Sequence, residues 1–207
     1  FGEKTDIDST GERSGILPSR EWKRKTKGVQ WFPGETLNTG IGQGDFLVTP
    51  LQLANSTAAL SIRGKRYRPR LVRAIEDAGT GELLEIEPEI AGQYPLIKES
   101  NWEQIRASMV NVVHGLRGTA SRINRGLKYK VAGKTGTSQV FGIAQDEEYD
   151  ADALPKKLRD HGLFISFAPA ENPLIAVAVI VENGGSGSSS AAPIARRVMD
   201  AYLLGKP

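Results

Sequence analysis

The sequence predicts an α/β protein of the α+β type, in which an antiparallel sheet is flanked by helices. Two apolar runs, at residues 163–168 and 174–181, are joined by the short turn Asn172-Pro173, so they should pair antiparallel. A third strand is expected at about 130–141, and an amphipathic helix from about 191 should lie across the sheet. Because the run at 174–181 is apolar throughout, we expect helices on both of its faces.

The composition allows one globular domain and excludes several classes of protein. The chain has 207 residues, enough for a substantial core, and we expect residues 1–207 to be part of a single domain. A net charge of +3 is too small to argue for nucleic acid as a partner. The absence of cysteine excludes disulfides and thiolate metal sites, and the sequence contains no run of 18 apolar residues that could span a membrane.

Residues 1–47 are rich in Gly, Pro, Ser and Asp, which predicts mainly loops. Within them, residues 20–27 include five basic residues and are followed closely by Trp31 and Phe32. This basic run could bind phosphates, including those of a lipid-linked precursor or a membrane surface. The alternative is a solvated loop whose tryptophans anchor it to the core. The glycines at 40–44 lack dinucleotide-loop spacing and predict a tight backbone passage near a cleft.

The middle of the chain predicts a helix, a hairpin and a second helix. Thr49 should cap the first helix, which Gly64 closes, and strands at 71–76 and 82–86 should form a hairpin. Acidic residues crowd this hairpin, but their scattered spacing is typical of a solvated face rather than a metal site. Ser100 should cap the second helix.

That second helix leads towards the central strand. It should stop at Gly115, which places His114 at the C-terminal end, where a cation is favoured. Gly118-Thr119-Ala120 then begins the approach to the strand. The polar stretch from 142 to 160 predicts an exposed excursion.

The central strand carries the sequence Lys-Thr-Gly-Thr at residues 134–137. Side chains alternate along a strand, so Lys134 and Gly136 share one face while Thr135 and Thr137 share the other. Gly136 lets a ligand approach the backbone, and a fixed cation beside two hydroxyls suits a carboxylate. An edge strand can also direct a backbone N–H at a developing oxyanion. The sequence therefore predicts a ligand site at residues 134–137.

Two other interpretations of this strand compete with a ligand site. Gly133-Lys134-Thr135 mimics the end of a phosphate-binding loop, but that loop needs glycine where Lys128 stands, and a helix should follow it. Gly136 and the strand-forming residues after it argue against a helix, so the nucleotide interpretation fails. The plainer alternative is a surface strand that carries Lys and Thr without function.

Lys-Thr-Gly is one of the three sequence boxes of penicillin-recognising serine enzymes. Together with other segments, it makes nearly the whole chain resemble the class B penicillin-binding proteins, in particular the elongation-type peptidoglycan transpeptidases. The resemblance implies a penicillin-binding transpeptidase / β-lactamase-like fold. The segments that carry it are Phe1-Gly2, Arg13-Ser14-Gly15, Pro18, Arg20-Glu21-Trp22, Gly40-Ile41-Gly42-Gln43-Gly44, Thr49-Pro50, Leu158-Arg159-Asp160-His161, Phe167-Ala168-Pro169, Asn172-Pro173 and Glu182-Asn183-Gly184-Gly185.

The chain departs from the family pattern in one respect. It contains no Ser-x-x-Lys and no Ser-x-Asn box, and after Ser61 the next lysine, Lys65, comes one position too late. Both boxes precede the Lys-Thr-Gly strand in the family. We therefore expect this chain to be the C-terminal part of the transpeptidase domain, with the nucleophilic serine in the upstream half of the same domain.

The resemblance also implies roles for the strand residues. Lys134 would supply the electrostatic field of the site, and the Thr135 and Thr137 hydroxyls would bind the terminal carboxylate of the ligand beside Gly136. The Thr137 N–H would form half of the oxyanion hole. The residues call for no metal or organic cofactor.

The ligands implied are peptidoglycan stem peptides ending in D-Ala-D-Ala and β-lactams. The implied protein partner is a membrane-embedded glycan polymerase, and the expected location is the periplasmic face of the bacterial inner membrane, with the anchor outside this chain. A serine β-lactamase, a penicillin-sensing receptor domain and a non-catalytic scaffold fragment remain as alternatives.

Overall fold

The computed structural model describes residues 1–95, 98–140 and 154–205. The chain divides into two compact units, the first formed by Phe1–Gln52 and Arg66–Gly92 and the second by Leu53–Lys65 and Gln93–Pro207. Within the described ranges, the helices are α1 (Arg20–Lys27), α2 (Pro33–Gly40), α3 (Pro50–Ser61), α4 (Glu99–His114) and α5 (Ala191–Leu204). The strands there are β1 (Lys65–Tyr67), β2 (Ala74–Glu76), β3 (Leu83–Glu85), β4 (Ile90–Gln93), β5 (Ala132–Ser138), β6 (His161–Ala168) and β7 (Ile175–Val181).

Helices α1 and α2 occupy a region predicted as loops, so that prediction was wrong. Ser19 caps α1 by accepting the N–H of Trp22 at 3.0 Å, and Gly28 ends it in the left-handed conformation. Proline opens α2, where the Glu35 carboxylate accepts the N–H of Phe32 at 2.7 Å. Each helix has only eight residues. That length is too short for apolar periodicity to be recognised, although the capping residues were visible.

The predicted hairpin is confirmed as the antiparallel pair β2 and β3, although both strands are shorter than expected. Asp77 shapes its turn by accepting the N–H groups of Gly79 and Thr80 at 2.9 and 2.8 Å. These backbone donors, that of Thr80 first, lower the pKa of the Asp77 carboxyl. Strands β1 and β4 form another two-stranded sheet, which was not predicted.

The two central helices begin differently from one another. Thr49 caps α3 as predicted, because its hydroxyl accepts the Gln52 N–H at 3.1 Å while Gln52 accepts the Thr49 N–H at 2.9 Å. The prediction of Ser100 as the cap of α4 was wrong, since that helix already begins at Glu99. The Glu99 carboxylate pairs with Arg63 at 3.1 Å and supplies the negative charge that a first helical turn favours.

The sheet of the second unit matches the prediction. Strands β5, β6 and β7 are antiparallel and lie side by side in that order. Lys134 stands opposite Ile165, and Gly136 opposite Leu163. Phe141 and the predicted excursion up to residue 153 lie outside the described residues.

One face of this sheet packs on α5. Phe164 and Ser166 of β6 are fully buried there, and the Ser166 hydroxyl contacts the sulfur of the buried Met199 at 3.7 Å. Burying a side chain such as Phe164 contributes about 1.5–3 kcal/mol. Gly133 lies on the same face, and a Cβ at this position would lie 2.5 Å from the Phe164 ring. Glycine is therefore required for this packing.

The opposite face of β7 is not covered in the same way. Ala176, Ala178 and Ile180 are only half-buried, Leu174 just before the strand is exposed, and β7 is the edge strand of the described sheet. At one end of this face, Met109 of α4 forms an apolar cluster with Phe167 and Ala176, so a second helix does pack on the sheet. Cover over the rest of this face stays a prediction for the intact domain. An apolar run indicates that a strand is buried in the folded protein, but it does not indicate which segment buries it. None of the helices in the described ranges is long and apolar enough to cross a bilayer.

Candidate active site

The predicted site residues lie together at the accessible end of β5. Among the described strands, β5 pairs only with β6, so its other side is an edge of the sheet. Lys134 and Thr137 are exposed, and Thr135 and Gly136 are half-buried. A ligand could therefore reach all four positions from solvent.

The backbone of this strand presents alternate residues to the edge. In an antiparallel ladder, the N–H and C=O of one residue point to the same side, and those of the next residue point to the other. Val131, just before β5, donates its N–H to Nε2 of His114 at 3.0 Å, so its backbone points away from β6. Every second residue after Val131 points to the same side, so the backbone N–H groups of Thr135 and Thr137 also lie on this outer edge.

The position of Lys134 agrees with this alternation. Its ammonium group donates to the carbonyl oxygen of Thr135 at 2.5 Å, so that carbonyl faces away from β6 and the positive charge lies along the outer edge. Two hydroxyls, a cation and outward N–H groups thus occur within four residues. Such a set can bind a carboxylate and can stabilise an oxyanion.

His114 fixes the beginning of this edge as a neutral hydrogen-bond acceptor. Burial, and after it the charge of Lys130, lowers the pKa of the imidazole. The sequence placed His114 at a helix C-terminus, where a cation is favoured, but here burial outweighs the helix dipole. A protonated ring could not accept the Val131 N–H, so the neutral form is the one that holds the strand.

Thr119 contacts the site directly. Its hydroxyl oxygen lies 3.1 Å from the hydroxyl oxygen of Thr135. Thr119 lies in a tight turn that packs closely on the end of α4. The Ala120 N–H donates to the Val112 carbonyl oxygen at 2.9 Å, and a Cβ on Gly118 would lie only 2.3 Å from that oxygen. From the sequence alone, this segment indicated only an approach to the strand. No periodicity indicates which loop hydroxyl reaches a strand.

The loop at 184–190 packs against the β5–β6 ladder on the sheet face that Thr137 shares with its partner Gly162. Gly187 is buried, and a Cβ there would lie 2.0 Å from the carbonyl oxygen of Leu163 and 2.6 Å from that of Gly136. Only glycine allows the loop this close to the β5–β6 pair. The composition of this segment resembles a flexible linker, so its packing role was missed.

The basic helix α1 uses most of its charge internally. Three of its lysines form ion pairs: Lys23 with Glu35 at 2.5 Å, Lys25 with Glu21 at 2.8 Å, and Lys27 with Asp45 at 2.5 Å. Three of the five basic residues that would bind a phosphate are therefore already paired with carboxylates, which argues against a phosphate site here. Further along this unit, Gly42 and Gly44 have φ of 75° and 74°, and a cavity of about 80 Å³ lies beside Gly44. The predicted tight passage is nevertheless wrong, because a Cβ on Gly42 would meet no atom within 4 Å and one on Gly44 none closer than 3.8 Å.

Two further features of the described residues concern metal ligands and cavities. Within residues 1–95, 98–140 and 154–205, no group of three or more His, Asp or Glu side chains is arranged to hold a metal ion. A cavity of about 410 Å³ in the second unit is lined by Trp102, Met109 and Phe167, among others, and by none of the residues 134–137.

The Lys-Thr-Gly-Thr sequence on an edge strand, in an antiparallel sheet whose other two strands pack on α5, is typical of one class of protein. The chain belongs to the penicillin-binding protein transpeptidase family, since residues 1–200 match the family described as "Penicillin binding protein transpeptidase domain". The predicted family and fold class are thereby confirmed.

Within this family, the chain is similar to proteins named Peptidoglycan D,D-transpeptidase MrdA. It is 44% identical to that of Haemophilus influenzae over 207 residues, which is 98% of this chain and 31% of the relative. It is 37% identical to that of Escherichia coli K12 over 99% of this chain and 32% of the relative. The chain thus spans about a third of the length of these curated relatives.

Solved structures agree with this placement. The crystal structure of Pseudomonas aeruginosa PBP2 in complex with WCK 5153 is 44% identical, with a TM-score of 0.81 over 99% of this chain and 41% of that one. A complex between PBP2 and MreC from Helicobacter pylori is 31% identical, with a TM-score of 0.78 over 99% of this chain and 34% of that one.

Proposed function

We propose that the intact protein containing this chain is a peptidoglycan D,D-transpeptidase that cross-links stem peptides through a serine acyl-enzyme and is acylated by β-lactams. The observation that carries this proposal is the outer edge of β5, where Lys134 and the backbone of Thr135 and Thr137 face the same side. The relatives named as D,D-transpeptidases support it. The nucleophilic serine comes from outside this chain.

In the proposed reaction, the Thr135 and Thr137 hydroxyls donate hydrogen bonds to the terminal carboxylate of a D-Ala-D-Ala stem, and Lys134 provides the positive field around it. The serine oxygen attacks the carbonyl carbon of the penultimate D-Ala, and the Thr137 N–H stabilises the negative charge on the carbonyl oxygen. The peptide bond then breaks, and the terminal D-Ala leaves with a proton on its amine. An acceptor amine from a second stem attacks the resulting ester, releases the serine and forms the cross-link.

The same geometry explains how a β-lactam would act. Its carboxylate would take the position of the stem carboxylate, and opening of its ring would acylate the same serine. A β-lactamase or a penicillin-sensing receptor would share this strand, but it would deacylate quickly or only signal. A slow deacylation rate of the intact protein would favour the transpeptidase.

The partners and location follow from the reaction. We propose that the intact protein works at the periplasmic face of the inner membrane, together with a membrane-embedded glycan polymerase that supplies the strands to be cross-linked. A PBP2 of Helicobacter pylori forms a complex with MreC, and we extend that kind of partner to this protein as well. The upstream half of the domain completes the site.

The proposal is tested by replacing Lys134 in the intact protein. Lys134→Ala should reduce acylation by benzylpenicillin by at least ~10²-fold, the scale of a lost electrostatic contribution to a transition state. Folding should be little changed, because the Lys134 side chain is exposed. Lys128→Ala removes another exposed lysine from the approach to the same strand and should leave acylation intact. Unchanged acylation by a folded Lys134→Ala variant would refute the assigned role.

A further inference from the structure

We propose that Thr119 is a positioning residue that directs the hydroxyl proton of Thr135 towards the carboxylate of the ligand. This inference rests on the proposed function, in which Thr135 binds that carboxylate. It assigns to the Gly118-Thr119-Ala120 turn a role in ligand selection beyond its role as a connection between α4 and β5.

The contact between the two hydroxyls is short enough for a hydrogen bond. The oxygens of Thr119 and Thr135 are 3.1 Å apart, and either one can be the donor. Each hydroxyl has one proton and two acceptor lone pairs. If Thr135 donates to Thr119, its proton is unavailable to a ligand. If Thr119 donates to Thr135, the Thr135 proton is free to turn towards a carboxylate.

A bound carboxylate selects between these two arrangements. An ionised carboxylate only accepts hydrogen bonds, so Thr135 must donate to it and must itself accept from Thr119. The result is a chain of hydrogen bonds in one direction, in which each bond polarises the next. An ester in place of the carboxylate is a weaker acceptor and gains less from this chain.

The location of Thr119 makes it suited to this role. The turn that carries it is held against the end of α4 by the hydrogen bond from Ala120 to Val112 and by the close fit of Gly118. Thr135 belongs to a paired strand, opposite Phe164. Both backbones are thus fixed, and threonine side chains have few χ1 choices. The two hydroxyls meet at the boundary between the buried start of β5 and its accessible end.

The test compares benzylpenicillin with its methyl ester on the intact protein. Removing one neutral hydrogen bond with the isosteric Thr119→Val should reduce acylation by the acid about 3–10-fold. Acylation by the ester should change less, so the preference for the acid falls. Because both ligands are measured on the same preparation, their ratio does not depend on how much of the variant is folded.

Three further variants complete the experiment. Thr119→Ser keeps the hydroxyl and should restore the preference, while Ser121→Ala removes an exposed hydroxyl from the next turn and should leave it unchanged. Thr135→Val should lower the preference, and adding Thr119→Val to it should have no further effect. An effect of Thr135→Val without one of Thr119→Val, or an equal loss for acid and ester, would overturn the positioning role. No effect of Thr135→Val would instead contradict the proposed carboxylate site.

Discussion

The close packing of Gly187 against the β5–β6 ladder predicts a large effect of a single methyl group. In Gly187→Ala, the new Cβ would lie 2.0 Å from the carbonyl oxygen of Leu163 and 2.6 Å from that of Gly136. To reach an ordinary contact of 3.4 Å, the loop and the ladder must separate by about 1.4 Å. Both obstructing atoms belong to the backbone of a paired sheet, so a side-chain rotation cannot relieve the overlap.

The cost can be estimated from other overpacked sites. Inserting a group into a well-packed region typically costs 1–3 kcal/mol, and an overlap of this size with backbone places Gly187→Ala near the upper end, at about 3 kcal/mol. Domains of 150–250 residues lose about 2–4 °C per kcal/mol and larger ones less, so the Tm of the intact protein should fall by at most about 6–12 °C. Acylation by penicillin should fall as well, because the displaced ladder includes Gly136.

The assay is thermal unfolding of the intact protein, followed by acylation well below the Tm. Gly34→Ala is the matched control, since it makes the same chemical change in α2, where no atom lies within 4 Å of the added Cβ. It should leave Tm and acylation unchanged or raise the Tm slightly. If Gly187→Ala behaves like Gly34→Ala, the loop does not press on the ladder and the reasoning is refuted.

Two other predictions follow from the structure and the sequence. Burial lowers the pKa of His114 below its ordinary 6.5, so the stability that the neutral ring confers is complete above pH 6.5 and is lost as the pH falls towards the folded-state pKa. Urea unfolding at pH 7.5 and 5.5 should show this loss of stability in the native protein and a smaller loss in His114→Gln. An equal loss in both proteins would contradict the prediction. The isolated chain of 207 residues should be marginally stable, and it should not be labelled covalently by a fluorescent penicillin because it has no Ser-x-x-Lys box. Stoichiometric labelling that heat denaturation abolishes would show that the nucleophile is in this chain.

The sequence was sufficient for the central sheet because its signals there are strong. The apolar runs of β6 and β7 and the amphipathic α5 each match one element, and the short turn between the two runs makes the strands antiparallel. The Lys-Thr-Gly-Thr sequence also located the candidate site, since alternation along a strand determines which side chains share a face. The assignment of catalytic roles to Lys134, Thr135, Gly136 and Thr137 stays a prediction.

Other features depend on contacts between distant segments and could not be predicted in this way. Thr119 approaches Thr135 because Gly118 fits against the end of α4, and the polar loop at Gly187 packs tightly because of backbone atoms in β5 and β6. Neither contact leaves a periodic pattern in the sequence. The ionisation of His114 likewise depends on burial and on Lys130, which helix position alone does not reveal.

The most direct test of the account is a crystal structure of the intact protein acylated by a penicillin that keeps its carboxylate. The account predicts that the carboxylate accepts hydrogen bonds from the hydroxyls of Thr135 and Thr137, and that the ester carbonyl oxygen accepts the Thr137 N–H. Lys134 should lie beside the carboxylate, and Thr119 should remain in contact with Thr135. A penicillin bound to its serine with the carboxylate away from β5 would contradict the assignment of this strand as the ligand-binding edge.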